Sequence, residues 1–261
     1  DLYIATKFGL SRKLIGKNKY KLFLEKFNLN KIENSINKSL KNLNREKIDL
    51  FQLHGIDNTI DYHNLIFKLK KIKEKGKFEN FGVCNFNPSQ LKKIIKVSKE
   101  LNFKIDSCQL HLNFIEQRSK FKLLEICKNE KIFTIANRSL ARGLLYFPYN
   151  KNEEIPSYSR AFRSKKVKSL INSDYFKIKK IMENMTKKFN INLIDFAYTW
   201  LIKTQDINSV LLGYSNTSQV KKIKILNKNV MRESLNYCNY NLKKHKLLDG
   251  ICMKPKKYFE R

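Results

Sequence analysis

Residues 78–110 read FENFGVCNFNPSQLKKIIKVSKELNFKIDSCQL, in which a helical pattern separates two short apolar runs. The runs Phe78–Cys84 and Ile105–Leu110 are predicted strands, because each is a short, partly apolar run beside a helical pattern. Between them the tetrapeptide Asn87–Gln90, NPSQ, has the residue order of a capping box with proline at the first helical position. The stretch is therefore predicted to form one strand–helix–strand unit.

Strand-like runs recur on both sides of this unit at a regular interval. Runs begin at residues 48, 78, 105 and 132, and the spacing suits strand–helix–strand steps with short loops. The six predicted strands are Leu2–Thr6, Ile48–Leu53, Phe78–Cys84, Ile105–Leu110, Ile132–Ala136 and Ser209–Leu212. Such repetition predicts an α/β fold with a parallel sheet.

Two α/β architectures compete, an open doubly wound sheet and a (β/α)8 TIM barrel. No GxGxxG motif follows a predicted strand, which disfavours a dinucleotide-binding open sheet. Polar residues instead stand at the carboxyl ends of nearly all strands: Lys7, His54, Asn85, Gln109, Asn137, Arg138 and Ser215. A barrel gathers those ends around one mouth. We therefore expect a barrel represented by about six βα units, with the first two units upstream of Asp1.

The chain shows no linker that would separate independent domains. The interval between residues 137 and 208 is predicted to hold an inserted loop and a helix pair before the last strand. We expect residues 1–227 to form the incomplete barrel. Residues 228–261 are predicted to be a basic helical and loop extension packed on the same domain.

The charge balance is strongly basic. Lys and Arg number 54 against 23 Asp and Glu, for a formal net charge of +31 at pH 7. Such a charge suggests a nucleic-acid partner. Only nine of the basic residues are Arg, however, and Lys occurs with Asn and Ile throughout, which is the bias of an AT-rich coding sequence. A solvated basic surface is expected, without a specific nucleic-acid partner.

Cysteine and histidine usage predicts no metal site. The five cysteines form no CxxC pair and the four histidines have no ligand spacing. An odd number of cysteines in a long chain favours a reducing compartment, so a cytoplasmic location is expected. No run approaches ~20 apolar residues, which predicts no membrane partner.

Five segments resemble the aldo-keto reductase family in order and spacing. They are residues 4–9 (IATKFG), 36–54 (INKSLKNLNREKIDLFQLH), 74–91 (EKGKFENFGVCNFNPSQL), 108–118 with 138–145 (CQLHLNFIEQR and RSLARGLL), and 209–223 (SVLLGYSNTSQVKKI). The resemblance implies a barrel oxidoreductase that transfers a hydride between NADP(H) and a carbonyl or alcohol group. The substrate would be a sugar or a small aldehyde or ketone, and the form of the fourth segment is similar to reductases of sugar and surface-polysaccharide genes.

The resemblance implies two catalytic residues in this chain. Lys7 matches the lysine whose positive charge lowers the pKa of a catalytic tyrosine, and His54 matches the histidine that orients the carbonyl or assists proton transfer. A phenol with a pKa near ~10 needs such a cation to exchange protons near neutral pH. The family's Asp and Tyr are expected upstream of Asp1.

The resemblance also implies a site for NADPH, with NADH as an open alternative. Asn85 and Gln109 match the amides that bind the nicotinamide carboxamide, although Cys84 stands where serine is usual. A loop that opens into a helix N-terminus favours the cofactor's phosphates. The implied cofactor-binding residues are Asn85, Gln109, Asn137, Arg138, Leu140, Ala141, Gly143, Gly213, Ser215 and Gln219.

Two alternatives to the reductase stay open. A non-catalytic cofactor-binding barrel would keep the fold without the catalytic Asp and Tyr, and a nucleic-acid-binding module would rest on charge alone. A DxxxxY pattern upstream of Asp1 would favour the enzyme, while steep salt dependence of binding would favour the nucleic-acid module.

Overall fold

The computed structural model describes ten stretches of the chain. They are residues 2–16, 19–24, 30–56, 60–117, 119, 122–146, 149–151, 153–155, 168–213 and 223–245. The strands are β1 (Ala5–Phe8), β2 (Leu10–Gly16), β3 (Lys19–Leu24), β4 (Ile48–Leu53), β5 (Phe78–Cys84), β6 (Ser107–His111), β7 (Phe133–Asn137) and β8 (Ser209–Val210). The α-helices are α1 (Asn30–Leu43), α2 (Tyr62–Glu74), α3 (Pro88–Glu100), α4 (Leu123–Asn129), α5 (Ser173–Phe189), α6 (Leu193–Ile202) and α7 (Lys228–Lys244). A 3₁₀ segment, Ala141–Tyr146, lies between β7 and α5.

Six strands form one sheet in the order β1–β4–β5–β6–β7–β8. The pairs β1–β4, β4–β5 and β5–β6 are parallel, and a helix connects each of the last two pairs. The predicted parallel α/β fold is therefore confirmed.

Strands β4 and β5 have the predicted bounds, but the other strands of the sheet do not. The prediction of Leu2–Thr6 for the first strand was wrong, because β1 spans Ala5–Phe8. The main-chain N–H of Ile4 donates to Asp49 Oδ2 at 2.7 Å instead of entering the strand ladder. Lys7 consequently lies within its strand.

An antiparallel hairpin of β2 and β3 was not among the predicted strands. Its register runs from Leu10 paired with Leu24 to Gly16 paired with Lys19, with an irregularity between Leu14 and Gly16. The sequence carried a signal for it, since glycine and asparagine at residues 16–18 separate two partly apolar runs.

Helix α3 begins as its capping box predicts. Asn87 Oδ1 accepts from the N–H of Gln90 at 2.8 Å, and Gln90 Oε1 accepts from the N–H of Asn87 at 2.9 Å. The reciprocal pair satisfies two of the N–H groups that a helix start leaves without internal partners. The cap therefore fixes where the chain turns after β5.

The described residues form two compact units. The first contains residues up to 110 with 122–135, and its core includes the stacked rings of Phe8 and Phe51, whose centroids are 4.5 Å apart. Each buried phenylalanine contributes roughly 1.5–3 kcal/mol through loss of water contact. This unit contains strands β1, β4 and β5, whose carboxyl ends carry Lys7, His54 and Asn85.

The second unit contains residues 111–117, 119 and 136–245 of the described chain. Its core includes Phe114, which makes edge-on contacts with Phe196 and Trp200 of α6. Helix α7 packs on α5, where Cys238 Sγ lies 3.7 Å from Met182 Sδ. The domain boundary at residue 227 stays a prediction. Across the described ranges, no helix is both long and apolar enough to cross a membrane.

Candidate functional site

Four of the predicted site residues lie at one end of the sheet in the first unit. The N–H of His54 donates to Phe8 O at 2.9 Å, directly after Lys7 in the neighbouring strand. The N–H of Asn85 donates to Gln109 O at 3.1 Å. The structure thus brings Lys7, His54, Asn85 and Gln109 together at the carboxyl ends of β1, β4, β5 and β6. Their functional roles stay predictions.

Asn85 occupies an unusual backbone conformation at the end of β5. Its φ is +61°, in the left-handed region that asparagine tolerates better than most residues. Its Nδ2 donates to His54 O at 2.6 Å. Its Oδ1 is buried and has no hydrogen-bond partner among the described residues. A buried acceptor without a partner costs about 1–3 kcal/mol, so this oxygen is suited to accept from a bound ligand.

Gln109 is buried and is oriented by a neighbouring thiol. Cys84 Sγ lies 3.8 Å from Gln109 Oε1 in a weak S–H···O contact. Burial raises the pKa of the Cys84 thiol to about 12, although the charge of Lys7 partly lowers that pKa. The thiol therefore stays protonated at neutral pH and donates to Oε1. This contact leaves the N–H groups of Gln109 as the donors available to a ligand.

Lys7 supplies a half-buried positive charge. Within the described part of the chain, no acidic side chain forms an ion pair with it. The ammonium is close enough to Cys84, two strands away, to affect the thiol's pKa. A charge without a countercharge in a partly desolvated site acts more strongly on neighbouring groups than it would in water.

The second unit carries the predicted pyrophosphate loop after β7. Arg138, Ala141 and Arg142 have positive φ values of 57°, 50° and 62°, and Gly143 has a φ of 91°. A left-handed conformation costs a non-glycine residue on the order of 1–2 kcal/mol, and such residues are concentrated at functional sites. Asn137 ends β7, and its Oδ1 is buried without a hydrogen-bond partner in the described residues.

Two long-range hydrogen bonds and one within the loop hold this loop in place. Asn113 Nδ2 donates to Arg138 O at 3.0 Å, and Ser139 Oγ donates to Leu211 O at 2.5 Å. Leu140 O accepts from the N–H of Gly143 at 2.8 Å. The strained backbone is thus tied to the neighbouring segments of its own unit.

Three predicted cofactor residues follow β8. Gly213 is exposed, and a Cβ added there would meet no atom within 4 Å. Ser215 and Gln219 lie outside the described residues.

The described residues contain neither a metal-ligand cluster nor a disulfide bond. No group of three or more His, Cys, Asp or Glu side chains in these stretches is arranged to hold a metal ion. Cys84, Cys108, Cys127 and Cys238 are buried free thiols.

Sequence analysis did not single out two buried polar residues beside the site, Gln52 and Ser107. Their side chains are only 1% and 3% exposed, and Gln52 Nε2 donates to Ser107 Oγ at 3.4 Å. A polar side chain inside an otherwise apolar predicted strand was the available signal, in IDLFQL and IDSCQL.

A parallel sheet with polar side chains at the carboxyl ends of its strands is compatible with a barrel enzyme. The aldo/keto reductase family profile matches residues 1–240, and the chain belongs to this family. The fold is similar to that of a glycerol dehydrogenase from Gluconobacter oxydans. The two structures superpose with a TM-score of 0.76 at 22% sequence identity, over 93% of this chain and 72% of that chain. The predicted barrel class is confirmed.

Two curated relatives are similar to this chain over a smaller share of its length. L-glyceraldehyde 3-phosphate reductase of Escherichia coli (strain K12) is 25% identical over 194 residues, which is 72% of this chain and 56% of that protein. The aldo-keto reductase yakc [NADP(+)] of Schizosaccharomyces pombe is 22% identical over 223 residues, or 85% of this chain and 62% of that protein. The chain thus spans little more than half the length of these relatives.

Proposed function

We propose that this protein is an NADPH-dependent reductase that transfers a hydride to the carbonyl of a sugar or of a small aldehyde or ketone. Family membership supports the reaction class. The observation that carries the proposal is the grouping of Lys7, His54, Asn85 and Gln109 at one end of the sheet. The names of the reductase from E. coli and the NADP(+) enzyme from S. pombe support the substrate class and the cofactor.

The two amides fit a nicotinamide carboxamide. Asn85 offers a buried acceptor, Oδ1, and Gln109 offers N–H donors because Cys84 occupies its Oε1. A primary amide presents the complementary donor and acceptor. When bound, the reduced nicotinamide supplies the hydride, and the two side chains fix the orientation of its ring.

We propose that Lys7 and His54 assist the transfer of a proton to the carbonyl oxygen. The carbonyl oxygen gains a proton as the carbonyl carbon gains the hydride, so the site needs a positioned acid. His54 is suited to orient the carbonyl oxygen by donating a hydrogen bond to it. Lys7 would lower the pKa of the family's catalytic tyrosine by stabilising the phenolate.

The second unit is proposed to bind the phosphates of the cofactor. Arg138 and the backbone of Leu140, Ala141 and Gly143 would hold the pyrophosphate, beside Asn137 at the end of β7. Gly213, Ser215 and Gln219 would hold the adenosine phosphate. We propose NADPH as the preferred cofactor, with NADH as the alternative that a titration of both would distinguish.

We also propose that residues 1–227 form the barrel and that residues 228–261 are an extension packed on it. Helix α7 begins at Lys228, where Asn227 Oδ1 caps the helix by accepting from the N–H of Val230 at 2.9 Å. The packing of α7 on α5 supports an extension that shares the barrel's core.

The test of function uses the full-length protein. Oxidation of NADPH and NADH is followed with a panel of sugars, aldehydes and ketones, for the parent and for Lys7→Met. The matched control is Lys96→Met, which removes an exposed charge from α3. We expect turnover in the parent and control and at least a hundredfold loss of kcat in Lys7→Met, the scale on which loss of acid–base catalysis acts. Cofactor binding without turnover would instead establish a non-catalytic barrel.

A further inference from the structure

Asn113 is fully buried in the segment that follows β6, and both polar atoms of its side chain have partners. Its Oδ1 accepts from the N–H groups of Ile115 and Glu116 at 3.1 and 3.0 Å. Its Nδ2 donates to Arg138 O at 3.0 Å. The amide oxygen thus closes a turn within residues 113–116, while the amide nitrogen contacts the loop after β7, in the same compact unit.

The bond from Asn113 ends on a residue with an unusual backbone conformation. Arg138 has a φ of +57°, in the left-handed region that residues with a β-carbon disfavour. Its main-chain oxygen also accepts from the N–H of Ala141 at 2.7 Å, which closes the turn of the proposed pyrophosphate loop. A carbonyl oxygen has two lone pairs and can accept both bonds. Asn113 therefore contacts the loop at the residue where its turn begins.

A second bond beside this one comes from the main chain. The N–H of Leu112 donates to Asn137 O at 3.3 Å. Two consecutive carbonyl groups, at residues 137 and 138, are thus bonded to two consecutive residues, 112 and 113. Only the bond from Asn113 comes from a side chain, so a substitution can remove it and leave its main-chain neighbour unchanged.

The loop that Asn113 holds is suited to a diphosphate group. Arg138 and Arg142 bring two guanidinium groups to one short turn, and guanidinium binds phosphate oxygens through paired N–H donors. Gly143 is exposed, and a Cβ added there would meet no atom within 4 Å. A ligand can therefore approach the main chain of this turn closely.

We propose that Asn113 is a positioning residue for the cofactor's pyrophosphate: its Nδ2 holds Arg138 in the left-handed conformation in which the loop binds that group. The inference rests on the proposed function, which assigns the pyrophosphate to this loop. Without the bond, Arg138 would relax toward the negative φ that its β-carbon favours, and the turn to Ala141 would change with it. In this role Asn113 acts only through the main chain of Arg138.

Asn113→Asp separates the two halves of the amide. A carboxylate still accepts hydrogen bonds within the turn, but it cannot donate to Arg138 O. The matched control is Gln117→Glu, because Gln117 Nε2 also donates to a main-chain oxygen, that of Phe114, at 2.7 Å. Both substitutions add one negative charge to the same segment and remove one donor to a carbonyl group. Only Asn113→Asp releases the loop after β7.

The first test needs no ligand. Hydrogen exchange in the full-length parent and in both variants is followed by mass spectrometry of peptides that cover residues 138–145. We expect the N–H of Ala141 to exchange about tenfold faster in Asn113→Asp and at the parental rate in Gln117→Glu. An unchanged rate in Asn113→Asp would overturn the proposal.

The second test measures binding of the cofactor's parts by calorimetry. One ligand is 2′-phospho-ADP-ribose, which contains the pyrophosphate, and the other is 2′-AMP, which lacks it. We expect Asn113→Asp to raise the Kd for the first about tenfold and to change the Kd for the second less than twofold, with Gln117→Glu close to the parent for both. Equal losses for the two ligands, or for the two variants, would overturn the proposal. If the protein uses NADH, ADP-ribose and adenosine take the places of these ligands.

A third comparison separates positioning from a general loss of structure. Glycine adopts a positive φ freely, so Arg138→Gly removes the need for the bond from Asn113. In that background Asn113→Asp should cause less than a twofold further loss of affinity for 2′-phospho-ADP-ribose, because residues that act through one group are not additive. An equal loss in both backgrounds would overturn the proposal. If Asn113→Asp does not fold, Asn113→Ser carries the same measurements, because its shorter side chain can form the turn without extending to Arg138.

Failure of the two proposals is distinguishable. A full-length protein that binds neither NADPH nor NADH contradicts the proposed function, and with it a pyrophosphate at this loop. A protein that binds and oxidises the cofactor, with the same affinity in the parent and in Asn113→Asp, retains the proposed function and loses this inference.

Discussion

Asn85 Nδ2 donates to the main-chain oxygen of His54 at 2.6 Å and so ties the carboxyl end of β5 to that of β4. This bond uses the donor half of the amide and leaves Oδ1 as the half that can meet a ligand. The left-handed φ of Asn85 is compatible with this placement at the strand end. One side chain thus orders the site and presents an acceptor in it.

Asn85→Gly is expected to raise the Kd for NADPH about five- to tenfold. Because glycine tolerates the positive φ, the loss of cofactor affinity reflects the missing side chain and not a change in backbone strain. A single hydrogen bond of this kind contributes on the order of 1 kcal/mol. The measurement is titration of cofactor fluorescence with the full-length protein.

The control for this substitution is Asn102→Gly. Asn102 also has a left-handed φ, +49°, but it is exposed and follows α3. We expect its Kd for NADPH to match that of the parent. A similar Kd for all three proteins would remove Asn85 from the cofactor site.

Gly82→Ala is expected to lower the free energy of unfolding by about 1–3 kcal/mol, the usual cost of overpacking a core. The added methyl would lie 2.1 Å from Ser107 Oγ and 3.1 Å from the main-chain oxygen of that residue, which cannot rotate away. Urea unfolding of the full-length protein measures the loss. Gly213→Ala, which adds a methyl to open space, should leave the unfolding free energy within about 0.5 kcal/mol of the parent. Equal stability of Gly82→Ala and the parent would contradict the close packing of β5 on Ser107.

Local signals made much of the fold predictable. The signals for α3, β4 and β5 lie within the elements that they specify. Strands β4 and β5 have the predicted bounds, and α3 begins where its capping box predicts. The position of β1 depends instead on the Asp49 carboxylate, 45 residues from the N–H of Ile4 that it binds. Sequence periodicity carries no information about such a contact.

The position of the polar strand-end residues in the sheet could be predicted from the sequence, but the contacts of their side chains could not. Polar residues at strand ends identified His54 and Asn85, because parallel strands bring those ends together. The pairing of Gln52 with Ser107 joins residues 55 positions apart, and it depends on the space that Gly82 leaves. Only the register of the sheet shows that these three residues share a row.

Asp49→Ala is expected to destabilise the protein by about 1.5–3 kcal/mol, the range for hydrogen bonds to charged groups. Asp49 Oδ2 accepts from the N–H of Ile4 at 2.7 Å and from Arg45 Nη1 at 3.0 Å, and Arg45 Nη2 donates to Leu2 O at 3.0 Å. The carboxylate therefore fixes the chain as it enters β1. Urea unfolding is the measurement.

Asp49→Asn is the matched variant, because its amide oxygen can still accept from the N–H of Ile4. We expect it to lose less than half as much unfolding free energy as Asp49→Ala. Equal losses for the two variants would show that the destabilisation comes from loss of the ion pair with Arg45 and not from loss of the hydrogen bond to Ile4.

Stability is expected to fall as the pH rises above about 9, because the buried thiols resist ionisation. Burial raises the pKa of Cys84 from its ordinary value of 9.0 to about 12. The unfolded chain releases this proton near pH 9, while the folded chain keeps it until about pH 12. The stabilising effect of the neutral thiol is therefore complete below pH 9 and is lost between pH 9 and pH 12, at up to about 1.4 kcal/mol per pH unit.

Cys84→Ala isolates this effect from the other groups that titrate at high pH. Urea unfolding of parent and variant at pH 8, 9, 10 and 10.5 gives the difference in their unfolding free energies. We expect Cys84→Ala to be the less stable protein at pH 8, because it loses buried side-chain contacts, and the gap to narrow steadily above pH 9. Tyrosines and lysines ionise in both proteins, so their contributions cancel in the difference. A gap that stays constant from pH 8 to 10.5 would show that the Cys84 thiol ionises as readily in the folded chain as in the unfolded one.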